Sequence, residues 1–245
     1  MAISATLPTH RDEDFRYADL TALAPLWPVA VERIVLAAGE ERALSIANLG
    51  TGAVARELEV ELGDGARFDL HVLNAPQAYG RIAVRAVLGK GAQFHLGAAQ
   101  LAGATQVVEL VTQVTHAAPD AVSRQVVRSV AGGSGTVNYL GKVLVRPGAD
   151  GTDGSQSIRA MLLDRTATAN AKPELEIHAD DVKCAHGCAV GELDPGALFY
   201  LAQRGLPPET AKRLMLQAFV AEALVGAADE ETMLERAIAA LEAML

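Results

Sequence analysis

The sequence of 245 residues is poor in several features that would each define a class of protein. It contains two cysteines, 4% aromatic residues, and 21 basic against 30 acidic residues, which gives a formal net charge of −9. Two cysteines cannot staple a disulfide scaffold, so a reducing cytoplasm is the expected compartment. The acidic balance lacks the basic footprint that nucleic-acid binding requires, so no nucleic-acid partner is expected.

Membrane-spanning and phosphate-binding patterns are missing as well. No apolar run approaches the ~20 residues that cross a bilayer, and the first residues lack the pattern of a secretory signal, so no membrane partner is expected. The glycine-rich segments do not follow the order G-x-x-x-x-G-K-[ST], and Gly63-Asp64-Gly65 precedes a strand pattern where a phosphate loop would precede a helix. We therefore expect this chain to bind no nucleotide.

Three regions differ in periodicity. Residues 1–30 contain Pro8, Pro25 and Pro28, which predict a peripheral N-terminal arm that is partly helical, with at most one short helix between Asp12 and Leu23. Residues 31–188 alternate with period two, which predicts half-buried strands. Residues 189–245 return to a helical period and predict a small C-terminal α-helical domain.

A short sequence repeat indicates how the strands of this region are arranged. The segment Leu62–Phe68 reads LGDGARF and recurs as LGKGAQF at Leu88–Phe94, offset by 26 residues. A repeated strand–turn–strand unit indicates stacked coils of a β-solenoid, in which each coil needs its neighbours to bury its inner face. On the pattern alone, an antiparallel sandwich built from similar hairpins remains an alternative fold.

Capping residues place three helices in the C-terminal region. Asp194-Pro195 predicts a helix that ends before Gly205, Pro207-Pro208-Glu209 opens a second, and Asp229 caps a third. The expected apolar stripe of the second helix consists of Ala211, Leu214, Met215 and Ala218.

The chemistry is concentrated around the two cysteines. Cys184, His186 and Cys188 are spaced by two, so in an extended segment their side chains share one face. Continuing the strand parity from Leu175, this face would point outward unless a turn at Asp180-Asp181 resets it. Thiolate and imidazole suit iron, iron–sulfur clusters, zinc or copper. The structural alternative is a small buried cysteine beside a hydrogen-bonded histidine.

Other cysteine chemistries fit the spacing poorly. The segment is neither a C-x-x-C redox pair nor a C-x-x-C-H haem attachment site, and it lacks the second ligand pair of a zinc ribbon. A cysteine protease would need a general base, and no motif marks one. Two or three ligands on one strand leave a metal site incomplete, so the remaining ligands must come from elsewhere.

A longer pattern around this segment resembles a known family. The pattern consists of these segments: Lys172-Pro173-Glu174-Leu175-Glu176-Ile177, Ala179-Asp180-Asp181-Val182-Lys183-Cys184-Ala185-His186-Gly187, Leu193-Asp194, Leu198-Phe199-Tyr200-Leu201, Arg204-Gly205-Leu206 and Gln217-Ala218-Phe219-Val220-Ala221-Glu222. On these segments the sequence resembles the SufB/SufD family of iron–sulfur cluster assembly scaffold proteins, strongly from Lys172 to Glu222 and loosely elsewhere, and it is closer to SufD.

The resemblance implies a fold and a set of partners. It implies a mainly β protein, a right-handed parallel β-helix followed by a small C-terminal α-helical domain. It further implies a SufC-type ABC ATPase that docks on the helical domain, and a SufB-like subunit, or a second copy of this chain in a homodimer, that pairs with the β-helix. The candidate ATPase-docking residues are Asp194, Leu198, Phe199, Tyr200, Arg204 and Phe219.

The family match also implies a role for the cysteine segment. Cys184 and His186 would lie near the subunit interface and contact a transient iron–sulfur cluster or iron, with His186 the stronger candidate. Cys188 is a weaker candidate, because the family commonly carries alanine there. The chain is short for the family and reads as a variant without the usual N-terminal helical domain.

We therefore predict an assembly scaffold and not an enzyme. The alternative is a carbohydrate-active β-helix enzyme, which needs stacking aromatics beside paired catalytic groups. The single tryptophan, Trp27, lies outside the strand region, and only four tyrosines are present. This composition is poor for sugar binding.

Overall fold

The computed structural model describes residues 6–245, so the first five residues of the predicted arm lie outside the described part. The rest of the arm contains the short helix α1 (Leu20–Leu23), flanked by 3-10 turns at Glu13–Phe15 and Ala24–Leu26. The Asp19 carboxylate caps α1 by accepting hydrogen bonds from the backbone amides of Thr21 and Ala22.

Residues 6–245 contain twelve β-strands, which alternate between two sheets. The odd-numbered strands form the first sheet: β1 (Val31–Leu36), β3 (Val54–Leu62), β5 (Tyr79–Leu88), β7 (Val107–His116), β9 (Thr136–Val145) and β11 (Thr168–Ile177). The even-numbered strands form the second: β2 (Glu41–Asn48), β4 (Arg67–Asn74), β6 (Gln93–Ala102), β8 (Val122–Ala131), β10 (Asp153–Leu162) and β12 (Lys183–Gly191).

The two sheets make a parallel β-solenoid of six coils, each built from one odd and one even strand. Strands of consecutive coils pair in parallel throughout both sheets. Parallel pairing excludes the antiparallel sandwich, whose hairpins would place neighbouring strands in opposite directions. The mainly β fold with a solenoid and C-terminal helices is thus confirmed.

The sequence repeat coincides with the stacking of coils two and three. Leu62 pairs with Leu88 and Phe68 with Phe94, and the two phenylalanine rings stack with their centroids 6.2 Å apart. Later coils are longer, and the offset between paired residues reaches 32 at Asn138 and Asn170. The growing coil length explains why the repeat is legible only in the first half of the strand region.

Three helices follow the solenoid and form a helical module: α2 (Pro195–Gln203), α3 (Pro208–Ala221) and α4 (Glu230–Glu242). All three helices start where the sequence predicts, and Asp194 caps α2, but the Asp229 side chain makes no capping hydrogen bond to α4, so that part of the prediction is wrong. Gly205 adopts a left-handed φ of 84° after α2. Helices α3 and α4 fold back onto the outer face of the even-numbered sheet. The buried residues of this contact are Leu73, Ala99, Leu101, Val130, Leu216, Val220, Ala223, Leu224, Met233, Ala237 and Leu241.

One expectation for α3 is wrong. Leu214 is 45% exposed, and the buried residues of α3 are Ala211, Leu216 and Val220. The turn between α3 and α4 approaches the sheet closely at Gly97, where an added Cβ would lie within 3.0 Å of the Ala223 carbonyl oxygen. A salt bridge between Arg128 and Glu222 (2.6 Å) reinforces the same contact.

The arm lies on the opposite side, across the outer face of the odd-numbered sheet. Arg81 and Glu109 form a fully buried salt bridge of 2.7 Å beneath it. The Arg81 guanidinium lies 4.2 Å from the centroid of the Phe15 ring, and Glu109 accepts a hydrogen bond from the backbone amide of Asp19. Burial raises the pKa of the Glu109 carboxyl, and Arg81 opposes this shift.

Candidate functional site

The cysteine–histidine strand is β12, the last strand of the solenoid. In the parallel register, Cys184, His186 and Cys188 pair with Gly154, Gln156 and Ile158 of β10. Ile158 belongs to the buried core, so this face of the strand points into the solenoid. The expected outward direction is therefore wrong, because the residues between Ile177 and Lys183 turn the chain and reset the parity.

These inward-facing side chains are nevertheless accessible, because no coil stacks on coil six within the described residues. Cys184 is half-buried, whereas His186 and Cys188 are exposed. Their apolar neighbours on the same face are exposed too: Ile177 at 41% and Val190 at 47%. We call this surface, formed by Leu175, Ile177, Cys184, His186, Cys188 and Val190, the open end.

The other end of the solenoid is built differently. The central inward residues of coil one are buried, with Ile34 at 6% and Ile46 at 3% exposed. At the rim, Glu32 accepts two hydrogen bonds of 2.8 Å from the Arg56 guanidinium. A charged rim protects a solenoid end against edge-to-edge association. The open end lacks such a rim over its cysteine–histidine strand and presents apolar and soft-ligand side chains instead.

Both thiols are held in the protonated form. Burial raises the pKa of Cys184, against the opposing effect of a backbone hydrogen bond from Gly154, and burial likewise raises the pKa of Cys188. A nucleophilic cysteine needs a lowered pKa, which cationic neighbours or a helix N-terminus provide. These cysteines are therefore poor nucleophiles, and a metal that binds them must displace the thiol proton.

The open end fits part of a metal or cluster site. Cys184 and His186 combine a soft and a borderline ligand on one face, which suits iron and sulfide chemistry. Within residues 6–245, however, no group of three or more histidine, cysteine, aspartate or glutamate side chains is arranged to hold a metal ion. Among the described residues, Cys184 and His186 would therefore provide only part of the ligand set of a metal site at the open end.

A polar cluster directly below the open end was not expected from the sequence. The Tyr139 hydroxyl lies 3.1 Å from Thr112 Oγ1 and accepts a hydrogen bond of 3.1 Å from Gln156 Nε2, while Gln125 Oε1 accepts from Thr112 at 2.8 Å. We call these four buried residues the polar hub. The Tyr139 ring fits into this cluster because residue 141 is a glycine, where an added Cβ would collide with the ring.

One feature of the sequence could have indicated the polar hub. Gln125 and Gln156 occupy inward positions, where the surrounding pattern calls for apolar residues, and polar groups are buried only with partners. Yet Gln125 Nε2 and Gln156 Oε1 have no hydrogen-bond partner among the described residues. In coils two and three the corresponding positions hold leucines, Leu70 and Leu96, so the polar interior belongs to the coils next to the open end.

The expected ATPase-docking residues do not share one role. Asp194 caps α2 by accepting a hydrogen bond of 2.8 Å from the Gly196 amide, and Phe219 is half-buried against the Arg128 guanidinium. Phe199 and Tyr200 are 66% and 55% exposed on α2. Of the remaining two, Leu198 is half-buried, and Arg204 is exposed with its guanidinium 4.7 Å from the centroid of the Tyr200 ring.

The fold and this site define a β-solenoid that presents a strand with cysteine and histidine side chains at one open end and packs a helical module on one face. Residues 23–219 match the family model described as "SUF system FeS cluster assembly, SufBD core domain". Since this match covers most of the chain, the protein belongs to the SufBD family, and the similarity to SufD inferred from the sequence is supported by the relatives.

Curated relatives extend the comparison. The chain is 34% identical over 125 residues to the iron-sulfur cluster assembly protein SufD of Escherichia coli (strain K12), which covers 51% of this chain and 30% of the relative. It is 39% identical over 120 residues to protein ABCI7, chloroplastic, of Arabidopsis thaliana, covering 49% and 25%. A SufBD family protein of Mycobacterium leprae is 33% identical over 162 residues, covering 63% and 41%.

The matched part spans less than half the length of each of these relatives. Among the described residues, no helix has both the length and the apolar character that crossing a membrane requires.

Proposed function

We propose that this chain is a SufD-like scaffold subunit in iron–sulfur cluster assembly. The observation that carries the proposal is the open end: the half-buried Cys184 and the exposed His186 lie on the inner face of the last coil, beside exposed apolar residues. An exposed apolar surface of this kind marks an interaction site. Family membership supports the process, and the exposed apolar surface of the open end supports a partner contact there.

In this proposal the open end pairs with a SufB-like subunit or with a second copy of this chain. Cys184 and His186 contribute two ligands to nascent iron or to a transient cluster, which is the cargo of the assembly, and Cys188 is a weaker third candidate. The partner contributes the ligands that this chain lacks. The apolar character of Ile177 and Val190 favours burial against a protein surface over permanent exposure to water.

A SufC-type ABC ATPase docks on α2 in the same proposal. Phe199 and Tyr200 are large, exposed and adjacent, and aromatic residues of this kind anchor protein interfaces. Nucleotide would be bound by the ATPase and not by this chain. We place the complex in the cytoplasm, in agreement with the low cysteine content.

The proposed role is non-catalytic. The raised pKa of each thiol disfavours nucleophilic catalysis, and the polar hub contains no acidic pair for acid–base chemistry. The carbohydrate-active alternative receives no support from the site, because Trp27 lies in the arm and Tyr139 is buried inside the solenoid. Turnover of a polysaccharide by the purified chain would nevertheless revive it.

Anaerobic co-purification from the native cell, with identification and stoichiometry of the bound chains, tests the partners. We expect an ABC-type ATPase together with a SufB-like chain. Recovery of the ATPase with this chain alone would assign a homodimer, with the ligands supplied by both copies. If neither the ATPase nor a SufB-like chain is recovered, the proposed scaffold role is wrong.

Substitution of His186 by alanine tests the ligand role. His186 is exposed, so the variant should remain folded while cluster assembly in the reconstituted complex falls at least severalfold. His178→Ala is the matched control, because His178 is also exposed in coil six but bonds to Glu176 outside the cysteine–histidine face. Equal assembly by the His186 and His178 variants would refute the ligand role.

Substitution on α2 tests the docking surface. Phe199→Ala with Tyr200→Ala should weaken ATPase binding about tenfold or more, since each truncated aromatic anchor typically costs 1–2 kcal/mol or more. Val225→Ala is the control, because Val225 is 61% exposed but lies in the connection between α3 and α4. If calorimetry gives the same ATPase affinity for the α2 double variant and for Val225→Ala, the ATPase does not dock on α2.

A further inference from the structure

The polar hub leaves one buried acceptor unused beside the candidate ligands. Gln156 is 2% exposed, and its amide orientation is set by the hydrogen bond from Nε2 to the Tyr139 hydroxyl. The opposite atom, Oε1, is buried and has no partner within residues 6–245. A buried acceptor without a donor destabilises the fold, so a nearby donor that reaches it is stabilised by the bond.

His186 is the side chain placed to supply that donor. It pairs with Gln156 in the register of β10 and β12, and both side chains point into the solenoid. Paired residues of neighbouring parallel strands lie about 4.8 Å apart, which puts their side chains within reach of each other. His186 is exposed and its ring makes no hydrogen bond within the described residues, so it is free to rotate toward Gln156.

We propose that Gln156 is a positioning residue, whose Oε1 accepts a hydrogen bond from one ring N–H of His186 and thereby fixes the tautomer and direction of the imidazole. The nitrogen that does not donate keeps its lone pair and faces the open end. Histidine ligands in metal sites commonly have their second nitrogen held by such an acceptor. The inference rests on the proposed function, since it assigns a support to the proposed ligand.

Tyr139 and Gly141 explain why the acceptor is held in place. The missing Cβ of Gly141 lets the Tyr139 ring lie along the strand, so that its hydroxyl meets Gln156 in the interior. Thr112 lies 3.1 Å from the same hydroxyl and restrains it from below. The hub therefore presents Gln156 Nε2 to the interior and frees Oε1 for another partner.

Gln125 offers the competing arrangement. It pairs with Gln156 one coil below, and its Nε2 also lacks a partner. An amide ladder between the two glutamines would satisfy both atoms and leave His186 without support. The structure contains no such bond: Gln125 Oε1 instead faces the Tyr139 hydroxyl, at 3.4 Å.

Long-range proton–nitrogen correlation spectra of the intact chain, labelled with nitrogen-15 histidine at pH 8, read the tautomer of His186 directly. The His186 signals are assigned by their loss in His186→Asn. We expect one dominant tautomer in the parent chain, a mixture in Gln156→Met, and the parent pattern in Gln125→Met. Gln156→Glu keeps the acceptor atom and should keep the parent pattern, while circular dichroism confirms that each variant is folded.

Three results would overturn the proposal: a tautomer mixture in the parent chain, an unchanged pattern in Gln156→Met, or equal changes in Gln125→Met and Gln156→Met. The last would assign Gln156 to an amide ladder of purely structural importance. The measurement needs no cluster, ATPase or partner chain. Cluster assembly that is unaffected by His186→Ala would therefore refute the proposed ligand role without changing the tautomer result, and a negative tautomer result would leave the ligand role intact.

Discussion

Replacement of Gly97 by alanine should detach the helical module from the solenoid. The added Cβ would lie within 3.0 Å of the Ala223 carbonyl oxygen and 2.7 Å from Cδ2 of the His71 ring. Neither neighbour is a flexible chain end: one is backbone and the other is a ring that is 1% exposed. The turn between α3 and α4 must therefore move away from the sheet.

The size of the effect follows from the contacts that this movement breaks. The hydrogen bond between His71 Nε2 and the Val225 carbonyl oxygen (3.1 Å) is lost, at about 1 kcal/mol. Forcing an extra carbon into a packed contact costs a further 1–3 kcal/mol or so. Leu216 and Leu224, both at most 1% exposed, lose part of their burial. We expect about 2–4 kcal/mol less stability.

Urea unfolding followed by circular dichroism measures the change, with Gly187→Ala as the control. Gly187 lies in an exposed strand and an added Cβ there meets nothing within 4 Å, so that variant should match the parent chain. Limited proteolysis should also cut the Gly97 variant sooner between α3 and α4. Coinciding urea midpoints for the two variants would show that the close approach at Gly97 does not hold the module.

Two further changes test the interior. Glu109→Gln leaves the buried Arg81 without a counter-charge and should cost about 3–5 kcal/mol, whereas Glu59→Gln breaks an exposed pair with Arg33 and should cost less than about 1 kcal/mol; similar urea midpoints would contradict this difference. Burial lowers the pKa of His116 to about 4, from 6.5 in the unfolded chain. Below pH 6.5 the unfolded chain binds a proton that the folded chain does not, so the free energy of unfolding falls by about 3 kcal/mol between pH 6.5 and 4. His116→Gln should flatten the decline in stability between pH 7 and 5, and an unchanged slope would assign the decline to other groups.

Much of the fold is predictable because its determinants are local. The repeat around Leu62 and Leu88 reports the stacking of two coils, and Asp194 and Gly205 bound α2 through capping and a left-handed turn. Each of these signals lies within a few residues of the structure that it specifies. The end of the strand region also follows from the change in period, although β12 continues to Gly191.

The direction of the candidate ligands was not predictable in the same way. Strand parity has a period of two, so one residue more or less in a turn reverses every side chain that follows. The segment between Ile177 and Lys183 has no period from which its length in the fold follows. The correct direction required the register of β10 and β12, which a single sequence does not contain.

The polar hub was hidden for another reason. Gln125 and Gln156 are 31 residues apart in the chain and become neighbours only when coils four and five stack. The earlier coils suggest an offset near 26, which would pair Gln125 with the wrong residue. Contacts between later coils thus depend on turn lengths that the repeat does not reveal.

The open end exposes apolar surface at the same place as the candidate ligands. A terminal coil of a solenoid lacks the neighbour that buries its inner face, so isolated coils require a cap. Coil one is closed by buried Ile34 and Ile46 with the Glu32–Arg56 pair at its rim, whereas coil six exposes Ile177 and Val190. Covering coil six would bury this apolar area and enclose Cys184 and His186 in the same step. Because one contact surface carries both the apolar residues and the candidate ligands, partner binding and completion of the ligand set would be a single event.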